Sequence, residues 1–280
     1  YDSKPMRRAM IDAMKYWVKE TNIDGFRCDV AWGVPQDFWE AATASLDSIK
    51  PVYMLAEDQD HPDFLKKAFV SNYTWKFHHL INDVAQGKKS ATDIRKFYTD
   101  SVSKVADGAF SMQFITNHDE NSWAGSEYER MGEAVKAFAT LTFTLEGIPL
   151  IYSGQEAGLK KRLLFFEKDT INWSNLEIQK FYQSLTSLKH NNQALWNGAS
   201  GGKMNLVETS SPEKVFAFTR EKEKNQILAI FNLSAEPVDA TIQLPGAGDY
   251  KEYFSGETKT LEKGSSIKLD KWGYQVFVRK

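Results

Sequence analysis

Three acids in this 280-residue chain stand where apolar, strand-like runs give out. In Gly25-Phe26-Arg27-Cys28-Asp29, Arg27 and Asp29 lie two residues apart and share one face of an extended segment, while Phe26, Cys28 and Val30 share the other. A guanidinium beside an aspartate keeps the carboxylate ionised, the state a carboxylate nucleophile requires. Standing alone, the pair would read first as a structural ion pair. It does not stand alone. Val52-Tyr53-Met54-Leu55-Ala56-Glu57 stays apolar until it ends in a carboxylate, and Phe114-Ile115-Thr116-Asn117-His118-Asp119 ends in a histidine and an aspartate. In a parallel barrel the carboxyl ends of the strands converge on one mouth. Three acids delivered there point to a reaction centre rather than to three unrelated turns.

The surrounding elements are legible from periodicity. Met6, Ala9, Met10, Ala13, Met14, Trp17 and Val18 recur at helical spacing after Ser3 and Pro5, which predicts an opening helix. The segment 22–30 then reads as a buried strand. Further strands are predicted over 52–57, 68–73, 112–117 and 148–152, and helices over 38–49, 91–105, 132–145 and 176–189. Strands alternating with helices predict a parallel sheet with helical crossovers. At Asn197-Gly198-Ala199-Ser200-Gly201-Gly202 the composition turns small and flexible. Beyond it, short alternating runs over 204–209, 215–220, 226–233, 238–244 and 273–279, with turns at Ser211-Pro212 and Leu244-Pro245-Gly246, predict a separate antiparallel sandwich.

Composition excludes several classes. With 42% hydrophobic and 26% charged residues the chain is neither disordered nor fibrous. Lys+Arg 35 against Asp+Glu 37 nets −2, so no broad basic field exists to neutralise a phosphate backbone, and nucleic acid is excluded as a partner. No apolar run approaches the roughly 20 residues of a membrane-spanning helix. The single Cys28 excludes an internal disulfide. The 8 Trp, 11 Tyr and 18 Phe supply flat amphipathic rings, which suit sugar faces as well as cores and interfaces.

Gly25-Phe26-Arg27-Cys28-Asp29, Leu55-Ala56-Glu57 and Ile115-Thr116-Asn117-His118-Asp119 resemble, in order, three signatures of the alpha-amylase family, glycoside hydrolase family 13. The run from Gly147 to Glu156 is similar to that family's last barrel strand, and Asp169-Thr170-Ile171-Asn172-Trp173 resembles the region before its final barrel helix. The resemblance implies the carboxyl-terminal portion, about strands 4–8, of a (β/α)8 barrel over 1–195 and a β-sandwich over 196–280. It implies a retaining mechanism on α-glucosidic bonds of starch or maltooligosaccharides. Asp29 would be the nucleophile, Glu57 the acid and base, and Asp119 a stabiliser of the charged transition state. The two reacting carboxyl groups would lie about 5 to 5.5 Å apart. Arg27 would hold Asp29 charged, His118 would hydrogen-bond the sugar, and an apolar wall with nearby negative charge would keep a proton on Glu57.

Two departures from the family pattern stand out. Its first signature, an Asp-rich strand ending in Asn-His, has no match, because the one Asn-His dipeptide is Asn117-His118. The chain opens in mid-fold at Tyr1, and strands one to three would precede it, together with a common calcium ligand, so no cofactor is expected within this segment. A segment lacking those strands is expected to be inactive or nearly so, and to self-associate through the bare barrel edge. After the nucleophile, Asp29-Val30-Ala31-Trp32-Gly33 replaces the Lys-His pair of many members, and Trp32 becomes a candidate for stacking on a sugar. Trp75 and Trp123 read as core or rim residues, and His78-His79 as helix residues rather than a zinc site. A carbohydrate-binding protein on a degenerate scaffold, or a glycosyltransferase of the same family, is the alternative. Polysaccharide-degrading members are frequently exported, which leans the location outside the cytoplasm.

Overall fold

A computed structural model describes residues 1–101, 108–174 and 176–279. The fold divides into two compact units, Tyr1–Trp75 with Ser103–Met112, and Lys76–Val102 with Gln113–Lys280.

In the first unit, α1 (Lys4–Thr21) starts where the Ser3 side chain accepts the Met6 N–H, with Pro5 in the first turn, and ends at Asn22 in a left-handed conformation. It is followed by β1 (Gly25–Cys28), α2 (Gln36–Asp47), β2 (Tyr53–Ala56) and β3 (Ser71–Tyr73), and by β4 (Phe110–Gln113). These strands pair in parallel in the order β1-β2-β3-β4. Phe38, Trp39, Ala42 and Leu46 of α2 bury against Met54, Ala56, Phe64 and Phe69, so the sheet's helix-covered face is apolar throughout. The register sets Cys28 opposite Ala56. The residues that follow, Asp29 and Glu57, therefore leave the sheet at the same end, tied by the Glu57 N–H to the Cys28 carbonyl at 3.0 Å.

Gly25 makes that register attainable. A β-carbon there would sit 1.8 Å from the Tyr53 carbonyl oxygen, inside the backbone of the neighbouring strand. Gly25→Ala is expected to destabilise the fold by about 3 kcal/mol, since rigid backbone cannot yield as a flexible side chain would. Urea denaturation of the variant checks this, and an unchanged midpoint would contradict it.

The second unit carries α3 (Trp75–Ala85), α4 (Ala91–Ser101), α5 (Glu127–Met131), α6 (Val135–Thr144), the two-residue strand β5 (Ile148–Pro149) and α7 (Glu177–Asn191). Helix α4 begins where expected, and the stretch 102–105 of its predicted span lies outside the described residues. Then come eight antiparallel strands: β6 (Met204–Thr209), β7 (Val215–Lys222), β8 (Asn225–Asn232), β9 (Val238–Gln243), β10 (Gly248–Glu252), β11 (Thr258–Leu261), β12 (Ser266–Leu269) and β13 (Tyr274–Arg279). Their order is β11-β10-β13-β8-β7-β6-β9-β12. Residues from every one of them, among them Val207, Ala217, Leu228, Ile242, Tyr250, Leu261, Ile267 and Phe277, meet in one apolar cluster, so the sheet curls over on itself. Its other face is also covered: Phe216, Phe218, Ala229 and Phe231 pack with Phe138, Leu141, Leu185 and Leu195. Both faces being buried explains why β7 and β8 read as continuous apolar runs.

Glu127 and Lys189 are ionisable groups buried in this unit. Burial raises the Glu127 carboxyl to about 7 from 4.5, and burial lowers the Lys189 ammonium to about 7 from 10.5, with the Arg220 charge adding to the latter shift. Between pH 4.5 and 7 the folded chain holds a proton on Glu127 that the unfolded chain releases, so this group's contribution to stability falls as pH rises through that window. Lys189 works in the opposite sense above 7, where the unfolded chain binds more protons and stability climbs with pH. Glu127→Gln should accordingly gain on the order of 2 kcal/mol over the parent protein at pH 8 relative to pH 5. Thermal melts at the two pH values read this out, and an identical difference at both would refute it.

Candidate active site

Within the first unit Arg27, Asp29 and Glu57 come together at the end of the sheet. Arg27, on β1, faces both carboxylates: one prong of its guanidinium pairs with Asp29 and the other with Glu57 at 2.8 Å. Its Nε donates to the Tyr73 hydroxyl at 3.2 Å, and the guanidinium lies 5.7 Å from the Tyr73 ring centroid. Partial burial opposes the Arg27 charge, but the hydrogen bonds to Tyr73 and Asp29 and the Glu57 charge outweigh it and hold its pKa above the ordinary value. The cation is therefore permanent, and it bridges the two acids. Tyr73 closes β3 and carries no charge, so nothing in its type advertised this role. Its position at a strand terminus was the available signal.

Glu57 is held from a second side, because the Val30 N–H donates to its other oxygen at 2.7 Å. To aim that N–H, Val30 adopts φ 44° and ψ 47°, a left-handed conformation that a β-branched residue avoids. Strain of this kind, on the order of 1–3 kcal/mol, persists where the surroundings over-determine the backbone. The polar contacts of Glu57 thus include a cation and an amide donor, with the Asp29 carboxylate on the same guanidinium. The carboxyl oxygens at the end of a buried strand need donors, and Arg27 and the Val30 N–H are the ones within reach. Trp32 sits on the turn that follows, 62% exposed, at the rim and not in the core.

The second unit positions His118 and Asp119 differently. The chain leaves β4 at Gln113, and Asn117, fully buried, accepts the N–H groups of Asp119 and Glu120 at 3.0 and 2.8 Å. This local turn starts a π-helical turn, Glu120–Ala124, and leaves the side chains of His118 and Asp119 partly exposed with 3.4 Å between Nε2 and Oδ2. Tyr152, just past β5, belongs to the same neighbourhood: its phenol is raised first by burial and then by the Asp119 charge. Behind this turn lies a buried network that the sequence did not disclose. His78 of α3 meets Glu120 at 3.0 Å, and Arg130 donates to Asn82 at 2.7 Å and to the Ile115 carbonyl at 2.9 Å. Burial lowers the pKa of His78 despite Glu120, while the hydrogen bond from His78 lowers that of Glu120. His78 and His79 lie on a helix as predicted, with His78 serving as a positioning residue for the turn. Trp123 is 61% exposed, which makes it a rim residue.

This arrangement, a parallel-sheet end bearing Arg, Asp and Glu followed by an antiparallel β module, can be set beside known proteins. The family model of the alpha-amylase catalytic domain matches residues 1–233, and that of the maltogenic amylase carboxyl-terminal domain matches 204–276. The chain belongs to the alpha-amylase family, glycoside hydrolase family 13. It is 30% identical over 262 residues to alpha-amylase MalA of Haloarcula japonica, covering 92% of this chain and 38% of that protein. To a cyclomaltodextrinase of Thermoanaerobacter pseudethanolicus it is 26% identical over 244 residues, covering 82% of this chain and 41% of the other. The fold superimposes on the noncanonic maltogenic alpha-amylase AmyB from Thermotoga neapolitana with a TM-score of 0.88 at 26% identity, covering all of this chain and 66% of that one. The architecture is thus that of a partial (β/α)8 barrel followed by a β-sandwich, and the chain spans less than half the length of the two sequence relatives named.

Proposed function

We propose that the protein cleaves α-glucosidic bonds of maltooligosaccharides and starch with retention of configuration. The observation that carries the proposal is the bridging of Asp29 and Glu57 by one guanidinium at the carboxyl end of adjacent parallel strands. Two carboxyl groups held on neighbouring prongs of one Arg lie on the same side of the sheet end, which supports covalent over direct displacement. In the first step Asp29 attacks the anomeric carbon, the glycosidic C–O bond breaks, and Glu57 gives its proton to the departing oxygen. In the second, Glu57 takes a proton from water, the oxygen of which displaces Asp29 from the anomeric carbon. Arg27 holds Asp29 in place and Trp32 offers a stacking face at the rim, while the family resemblance assigns Asp119 to stabilising the charged transition state and His118 to hydrogen-bonding the sugar. A sugar hydroxyl taking the place of water would make the same chemistry a glycosyl transfer.

The test uses an activated donor. With α-maltosyl fluoride the leaving group needs no proton, so a Glu57→Gln chain can complete the first step but has no base for the second. Peptide mass spectrometry should then find a maltosyl group on the peptide holding Asp29, and none in a Glu57→Gln, Asp29→Asn double variant. Labelling elsewhere, or none, would overturn the assignment. Since labelling is stoichiometric it remains readable in a slow catalyst. We propose that these 280 residues on their own turn over maltoheptaose far more slowly than the relatives do, because placement of the sugar governs the rate. A steady-state rate on a par with MalA would refute this.

A further inference from the structure

The turn after Asp119 holds a second loop in place. Asn121 donates its amide to the Lys161 carbonyl at 3.2 Å and accepts the Leu163 N–H at 2.8 Å, while the Ser122 hydroxyl donates to the Leu163 carbonyl at 2.8 Å. Asp169 closes the loop, accepting from the Lys161 ammonium at 2.5 Å and from the N–H groups of Leu164 at 3.1 Å and Thr170 at 2.7 Å. A segment tied this way at both ends is preorganised.

What it holds out is apolar. Phe165 lies 5.1 Å from Trp123 and 4.9 Å from Phe166 between ring centroids, and its ring runs nearly parallel to His118, 25° between planes at 6.4 Å. Trp123 is 61% exposed, Phe165 42% and Phe166 83%. Rings so exposed gain little from burial and contribute little to the fold, yet polar side chains fix the loop that displays them. The row begins at a residue read as sugar-binding and leads away from it. Pyranose rings present apolar C–H faces that match an aromatic surface, and successive glucose units need successive rings. We propose that Trp123, Phe165 and Phe166 form a stacking platform for the glucose units of a maltooligosaccharide chain whose end is held at His118 and Asp119. This rests on the catalytic reading of those two residues.

Calorimetric titration tests it in the Asp29→Asn chain, where the sugar is not consumed. Trp123→Ala, and separately the Phe165→Ala, Phe166→Ala pair, should weaken maltoheptaose binding about five- to tenfold per ring while leaving maltose within about twofold. Trp123→Phe should retain most of the affinity, which guards against a folding defect as the cause. Maltoheptaose affinity unchanged by the substitutions, or no binding by the Asp29→Asn chain that keeps all three rings, overturns the platform. So does a dimer seen by sedimentation that Trp123→Ala dissolves without altering sugar affinity, for then the rings join two copies of the chain. The outcomes separate the two proposals. Maltosyl labelling of Asp29 with ring-independent binding would leave the catalytic reading standing alone, and ring-dependent binding without labelling would leave the platform standing alone.

Discussion

Asp29→Asn is expected to lower kcat on maltooligosaccharides by about 10⁴-fold or more, the scale on which removing a nucleophile acts, with little change in KM. The amide keeps the shape and still accepts a hydrogen bond from Arg27, so loss of fold is not the cause; circular dichroism and the thermal midpoint should match those of the parent protein. What the amide lacks is the charge that, in the proposed mechanism, attacks the anomeric carbon. Glu57→Gln should behave differently with leaving group, losing about 10²–10⁴-fold on maltooligosaccharides but little in the first step with the fluoride. Single-turnover kinetics on both substrates checks the contrast. If the two variants lost equal activity on both, Asp29 and Glu57 would not hold distinct roles.

The second large effect is on stability. Arg220, in β7, is 1% exposed and donates to the carbonyls of Gly202 at 2.8 Å, Leu145 at 2.7 Å and Trp196 at 2.7 Å, with a longer contact to Thr144 at 3.2 Å. Thr144 and Leu145 end α6, so the cation also meets the negative pole of that helix. Burial lowers its pKa to about 10, with Glu146 and Tyr98 opposing, so it stays charged near neutrality. Arg220→Met fills similar space but strands these carbonyls without donors, and should cost about 3–5 kcal/mol. Arg220→Lys should recover only part, because one ammonium cannot reach carbonyls fanned around a planar fork. Urea midpoints at constant m-value measure both, and a loss below about 1 kcal/mol for Arg220→Met would show that water replaces the guanidinium.

Comparison of particular elements shows where sequence reading succeeds. Parallel strands buried on both faces announce themselves as apolar runs, and β1, β2 and β3 fall within or at the predicted segments. The strand predicted over 112–117 instead occupies Phe110–Gln113, because Phe114 to Asn117 must leave the sheet for Asn117 to turn the chain under Asp119. Helix α5 was not foreseen. Strands β10, β11 and β12 were missed as well. They are only four or five residues long and mostly polar, with Tyr250, Glu252, Leu261, Ile267 and Leu269 buried, so any alternation is too brief to stand out.

Residue type and place along the chain were enough to mark Asp29, Glu57 and Asp119 as candidates, since a carboxylate terminating an apolar strand is a local feature. That Arg27 would grip Asp29 and Glu57 together could not be read there, because it depends on the register of β1 against β2, set by backbone contact at Gly25. The same holds for the carbonyls around Arg220 and for the rings around Phe165, which lie up to 76 and 47 residues from their partners along the chain. Such contacts exist only after folding has brought distant segments within hydrogen-bonding or van der Waals reach, distances that no local pattern encodes.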